Sequence, residues 1–258
     1  FLDRQPLDEF SESTLWSSEA DATAALNGCY SGWESGTWLT YMDCGSDNAF
    51  NPYPWEGYNM FGNGSLLTPT NTGNHKWDYT VIQKCNWFLA NVDKTPISEE
   101  LIARMKGEAR FLRAYRYFQL SQLYGDAPLV LTNISTTEAN ELPRTPKAEV
   151  VDFVLSELGE IANALPAQYS GADQGRVTSG AAWALKARVE LYNGKFTDCI
   201  ASCEKIMGTY SLFPSYTDLF RIQNEYNSEI ILDVEYVAND VPLWSLGVLV
   251  TETQGGWW

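Results

Sequence analysis

The chain has 258 residues, 45% apolar and 19% charged, and its 33 acidic residues outnumber 17 basic ones for a formal net charge of −16. Such a composition excludes disorder and is long enough to bury a large core. The acidity argues against nucleic acid and anionic lipid surfaces, which are gripped through basic residues, and suits neutral or cationic ligands.

Six helices are predicted in chain order. Ser18 with Asp21 three residues later resembles a capping box, and Ala22, Leu26, Cys29, Tyr30 and Trp33 then share one 3.6-period face. Trp77, Val81, Cys85, Phe88 and Val92 form a second face of this kind. The third helix, 101–124, is apolar almost all round, with Arg110, Arg113 and Arg116 as most of its polar stripe. Gly125-Asp126-Ala127-Pro128 stops it, glycine first and proline after. Thr145-Pro146 is a cap followed by a first-turn proline, and Val151, Val154, Leu155, Leu158, Ile161, Ala162 and Leu165 mark a fourth helix closed by Pro166. A fifth, 178–192, and a sixth, 196–207, are joined by Asn193-Gly194-Lys195. Trp183, Ala187, Gly194, Phe196 and Cys199 fall at tetratricopeptide positions, whose small residues let antiparallel helices approach closely. Ile230 to Tyr236 alternates from Leu232 and reads as a strand.

The expected fold class is therefore mainly α, with tetratricopeptide-like antiparallel helix pairs, long aromatic-rich loops and a short β element near the C-terminus. The expected organisation is one domain: an arm at 1–16, a helical scaffold at 17–228 carrying a loop insertion at 34–76, and the start of a C-terminal region at 229–258. No apolar run of membrane-spanning length occurs. The chain opens at Phe1 without a signal peptide, as a removed targeting segment would leave it, and Trp257-Trp258 close it as a truncated chain would end.

Catalytic and metal chemistry find little to work with. The one histidine, His75, sits in an Asn/Thr/Gly-rich loop, which leaves no basis for a multi-histidine metal site. There is no CxxC pair; Cys29 and Cys85 read as small core residues, and Cys199 and Cys203 as a buried pair of thiols one helical turn apart. GxxxxGK[ST] is absent. Asp43 and Asp47 offer oxygen to calcium, but not at EF-hand spacing, so no cofactor is assigned. Glu99, Glu100 and Glu108 read as a solvated face or as partners of Arg104 and Arg113.

The unusual composition lies between residues 33 and 61. Trp33, Trp38, Tyr41, Phe50, Tyr53, Trp55, Tyr58 and Phe61 alternate with glycines and prolines, so this is loop. Such rings suit sugars: the C–H face of a pyranose stacks on a flat ring while carboxylates and amides take its hydroxyls. Trp38, Tyr41, Trp55 and Tyr58 are the candidate stacking surface, with Asp47 and Asn48 as hydroxyl partners. The competing reading is that these rings fold inward as core.

The run GEARFLRAYRYFQLSQLYGDAPL at 107–129 resembles the signature segment of the SusD/RagB family. FLDRQP at the start, LWSSEADATAALNGCYSGW, YTVIQKCNWFLANV, RVTSGAAWALKARVELYNGKF and YTDLFRIQNEYNSEIILDVEY extend the resemblance along most of the chain. It implies a non-catalytic lipoprotein on the outer face of the outer membrane of Bacteroidetes, held by a lipidated cysteine upstream of Phe1. Such a protein hands oligosaccharides to a SusC-like TonB-dependent transporter. The alternative is a helical-repeat scaffold that binds only proteins. The aromatic loop matches no motif of the family, so its site residues rest on their chemistry alone. With the scaffold so identified, the arginine stripe is expected to pair acids on neighbouring helices rather than bind an anion.

Overall fold

The computed structural model describes residues 15–34, 38–39, 42–51, 58–65 and 77–234. The chain divides into two compact units, one of Phe1–Trp33 with Tyr79–Leu232 and one of Glu34–Asp78 with Asp233–Trp258.

The first unit is helical. Its elements are α1 (Glu19–Tyr30), α2 (Thr80–Asn91), α3 (Glu99–Tyr124), α4 (Thr136–Glu141), α5 (Lys147–Ile161), α6 (Ser179–Tyr192) and α7 (Phe196–Glu204). The starts follow local chemistry. The side chains of Ser18, Ser98 and Thr178 each accept a backbone N–H of the first turn of α1, α3 and α6. Asp21 turns its carboxylate to the hydroxyls of Ser17 and Ser18 at 2.8 and 2.7 Å. Gly125 ends α3 at φ 74°, a conformation that suits glycine.

The core is the set of faces the periodicity marked. Ala22, Leu26 and Cys29 of α1, Val81, Cys85 and Phe88 of α2, and Val151, Val154, Leu158 and Ile161 of α5 are buried, as is Val92 just past α2. Cys29 and Cys85 are core thiols; the Cys29 thiol beside it, together with burial, pushes Cys85 well above the usual thiol range. Trp33 lies past the end of α1, half-buried, edge-on to Phe111 and Tyr115.

Three details depart from expectation. Ile230–Val234 form no strand: the Ile230 amide turns back to the Asn227 carbonyl at 3.2 Å, and segment 211–213 meets this region through single bonds to Ser228 and Glu229 rather than a ladder. Residues 235–236 lie outside the described set. Thr145 does not cap α5; its backbone pairs with Ala127, and the carboxylate of Asp126 takes the Lys147 amide at 2.8 Å instead. The GDAP exit of α3 thus also starts α5. Finally, Cys199 and Cys203 are half-buried, because α7 turns Ser202 toward α6, where Lys186 reaches its hydroxyl at 3.2 Å. Phe196, Ile200 and Met207 are consequently left exposed.

Candidate functional site

The arginine stripe of α3 is structural. Arg110 reaches Glu157 and Glu160 of α5, both at 2.6 Å. Arg113 is buried between Glu157 at 2.8 Å and the Asn86 amide oxygen of α2 at 2.8 Å. Asn86 in turn donates to the carbonyls of Val130 and Thr132, and the Tyr117 hydroxyl both donates to and accepts from the Val130 backbone. Arg116 is buried and bonds Gln119 of its own helix at 2.7 Å.

Glu108 is neither solvated nor paired with Arg113. It is fully buried and accepts from the Tyr30 hydroxyl at 2.8 Å and from Arg176 at 3.1 Å, with Arg104 at 3.7 Å. Burial pushes its carboxyl above the usual range, and Tyr30, Arg176 and Arg104 offset only part of that. Arg104 and Arg176 also share Asp173, each at 2.7 Å. Burial alone would raise Asp173, but the two guanidinium groups outweigh it and hold the carboxyl below its ordinary value. This cluster ties α1 and α3 to the segment leading into α6, and a fully buried carboxylate inside it is out of a substrate's reach.

A cleft of about 340 Å³ opens next to the cluster, among Glu19, Glu100, Leu101, Arg104, Leu165 and Asp173. It offers no aromatic surface to a sugar. Among the described residues, no group of three or more His, Cys, Asp or Glu is arranged to hold a metal ion, and no helix is long and apolar enough to cross a membrane.

The second unit holds the predicted site residues. A 3-10 turn, Asp43–Gly45, packs on a single helical turn, Asn59–Gly62. The approach is close: a Cβ on Gly62 would lie 3.2 Å from the Cys44 carbonyl oxygen and 3.3 Å from the Gly45 backbone. A side chain there would have to push that backbone back by a few tenths of an ångström. Tyr58 lies just before one turn, and Asp47 and Asn48 just after the other. The Ser46 hydroxyl donates to the Asp43 carbonyl at 2.8 Å and accepts the Asn48 amide at 3.2 Å, which shapes the loop.

Asp47 and Asn48 are exposed, while Trp38 and Tyr58 are half-buried. Tyr41 and Trp55 lie outside the described residues, as does His75. Phe50, which the sequence reading passed over, is 77% exposed between half-buried Ala49 and buried Asn51. Its nearness to Asp47 and Asn48 was the available signal.

Residues 1–191 match the model of a SusD-like family described as starch-binding and associating with the outer membrane. The chain belongs to the SusD-like family. That family comprises non-catalytic glycan-binding proteins associated with the outer membrane. The chain is 28% identical over 259 residues to SusD-like protein P25 of Formosa agariphila, covering 93% of this chain and 49% of that protein. The crystal structure of a SusD-like protein from Bacteroides fragilis superposes with a TM-score of 0.83 at 31% identity, over 92% of this chain and 48% of that one. A laminarin-binding SusD-like protein superposes with a TM-score of 0.78 at 28% identity, over 84% of this chain and 51% of that one. This chain therefore spans about half the length of these SusD-like relatives, and its helical scaffold has the tetratricopeptide-like SusD fold.

Proposed function

We propose that this chain serves in a cell-surface glycan-binding protein that captures oligosaccharides and delivers them, unmodified, to a SusC-like TonB-dependent transporter. The protein would be lipid-anchored and face outward. The observation that carries the reading is the match of residues 1–191 to a family described as starch-binding and associating with the outer membrane. The laminarin-binding relative supports a glycan as the ligand. The aromatic-rich composition of 33–61 supports a sugar site in the second unit, built from Trp38, Tyr58, Asp47 and Asn48, with Tyr41 and Trp55 retained on their sequence chemistry.

Isothermal titration against a glycan panel tests this reading. A bound glycan is expected, with affinity reduced in both Trp38→Ala and Trp55→Ala. Unchanged affinity in both variants would remove the site assignment while leaving the function. The second reading, a scaffold that binds only protein, has the exposed apolar residues Leu191, Tyr192, Phe196, Ile200 and Met207 in its favour. A panel without hits, together with co-purification of a transporter, would select it.

A further inference from the structure

We propose that Phe50 is a stacking ring of the glycan site and that its surroundings select neutral glycans over anionic ones. The inference rests on the glycan-binding reading above and names the ring and the substrate class.

The first observation is exposure. A phenylalanine left 77% exposed keeps most of its apolar surface in water. The loop bearing it is packed and hydrogen-bonded rather than loose: Cys44 and Asn51 are buried on either side, Ser46 braces the backbone, and Gly62 closes against Cys44 and Gly45. A ring held out by a braced loop meets a ligand with little further ordering, which is what makes aromatic contacts efficient.

The second observation is the company it keeps. Asp47 and Asn48 are exposed, and Phe50 follows Asp47 by three positions, a span of at most about 11 Å. A pyranose lying on the ring therefore has its edge hydroxyls within range of a carboxylate acceptor and of an amide that both donates and accepts. The third observation is charge. Residues 34–78 contain Glu34, Asp43, Asp47, Glu56 and Asp78 but Lys76 as their one cation, and no arginine. Uronate and sulfate groups are held by arginine forks and lysines, and the exposed carboxylates of Asp43 and Asp47 on this loop repel them.

The test uses the full chain in titrations with neutral glucans (laminarin and soluble starch) and with anionic glycans (a polyuronate and a sulfated galactan), at low and high salt. Wild type is expected to bind at least one neutral glycan and to prefer it to both anionic ones. Phe50→Ala is expected to lose about tenfold or more in affinity, Phe50→Trp to keep it, and Asp47→Lys to admit the anionic glycans at low salt. Thermal unfolding should be the same for wild type and Phe50→Ala, because the ring packs little, so lost affinity reports the contact rather than the fold. If Phe50→Ala binds as wild type does, the assignment of this ring falls while the glycan reading stands. A wild-type preference for the polyuronate or the sulfated glycan overturns the charge selection. Wild type binding none of the four overturns the glycan reading and this inference with it.

Discussion

Helix α3 and the loop at 42–51 use the same kinds of side chain in opposite ways. In α3 the aromatics Phe111, Tyr117 and Phe118 are buried, and the charges of Glu108, Arg113 and Arg116 are buried with them. Each of these charges meets a partner, whether on the helix or from α1, α2, α5 or the segment before α6. In the loop, Phe50, Asp47 and Asn48 face solvent. A helix whose buried charges each meet a partner tolerates few replacements of those partners, because each loss leaves a buried charge uncompensated. A loop held by its own backbone can change its outward side chains with little effect on folding.

Four measurements sharpen or break this contrast. The largest effect is expected from Glu157→Ala, which strands buried Arg113 and removes one of the two acids on Arg110. It should lower unfolding free energy by about 3–5 kcal/mol in urea titrations. A loss below about 1 kcal/mol would mean that the stripe is not a structural clamp. Next, Leu112→Ala in the fully buried face of α3 should cost about 3 kcal/mol, whereas Asp47→Ala in the loop should stay within about 0.5 kcal/mol. Similar losses in the two would erase the distinction between the regions.

A pH series on Asp173→Asn comes third. The Asp173 carboxyl is held below its unfolded value of 3.8, so its contribution is present above that pH and fades as pH falls through the folded value. Wild type should therefore exceed the variant in urea midpoint at neutral pH, with the gap closing in acid below 3.8. A gap that widened in acid would contradict the pairing with Arg104 and Arg176. The smallest effect is expected from Ser135→Ala. This serine and Glu138 form a complete capping box on α4, a helix with no buried residue. Removing it should cost α4 about 1 kcal/mol locally, seen as faster amide exchange over 136–141, and leave the global midpoint in place.

The elements whose chemistry is local were legible in the sequence. The 3.6-residue spacing on α1, α2 and α5 marked their buried faces, the glycine after Tyr124 marked the end of α3, and Ser18 caps α1 as its spacing to Asp21 indicated. The arginine stripe was legible as structural, though not its partners. Two readings failed for one reason, and a third was incomplete. The alternation read from Leu232 begins in the described residues, but there it finds no partner strand and forms no ladder. Thr145 looked like a cap, yet Asp126 reached the Lys147 amide first. Glu108 was legible as a partner of Arg104, but not its burial, which comes from α1 and Arg176 closing over it.

The candidate site divides along the same line. Its location in the aromatic, glycine- and proline-rich stretch after α1 follows from composition, because such a stretch forms loop broken only by short helical turns. Which rings stand outward does not follow, since Trp38, Phe50 and Tyr58 have similar neighbours in sequence and differ in burial. By itself, then, the sequence determined the helices, their inward faces and the family they belong to, all of which depend on residues within a few turns of one another. Only the tertiary structure decided the partners of Arg113 and Glu108, the capping of α5 from the end of α3, and the exposure of Phe50. Those depend on groups many residues apart, and burial is settled by what the rest of the chain places on top.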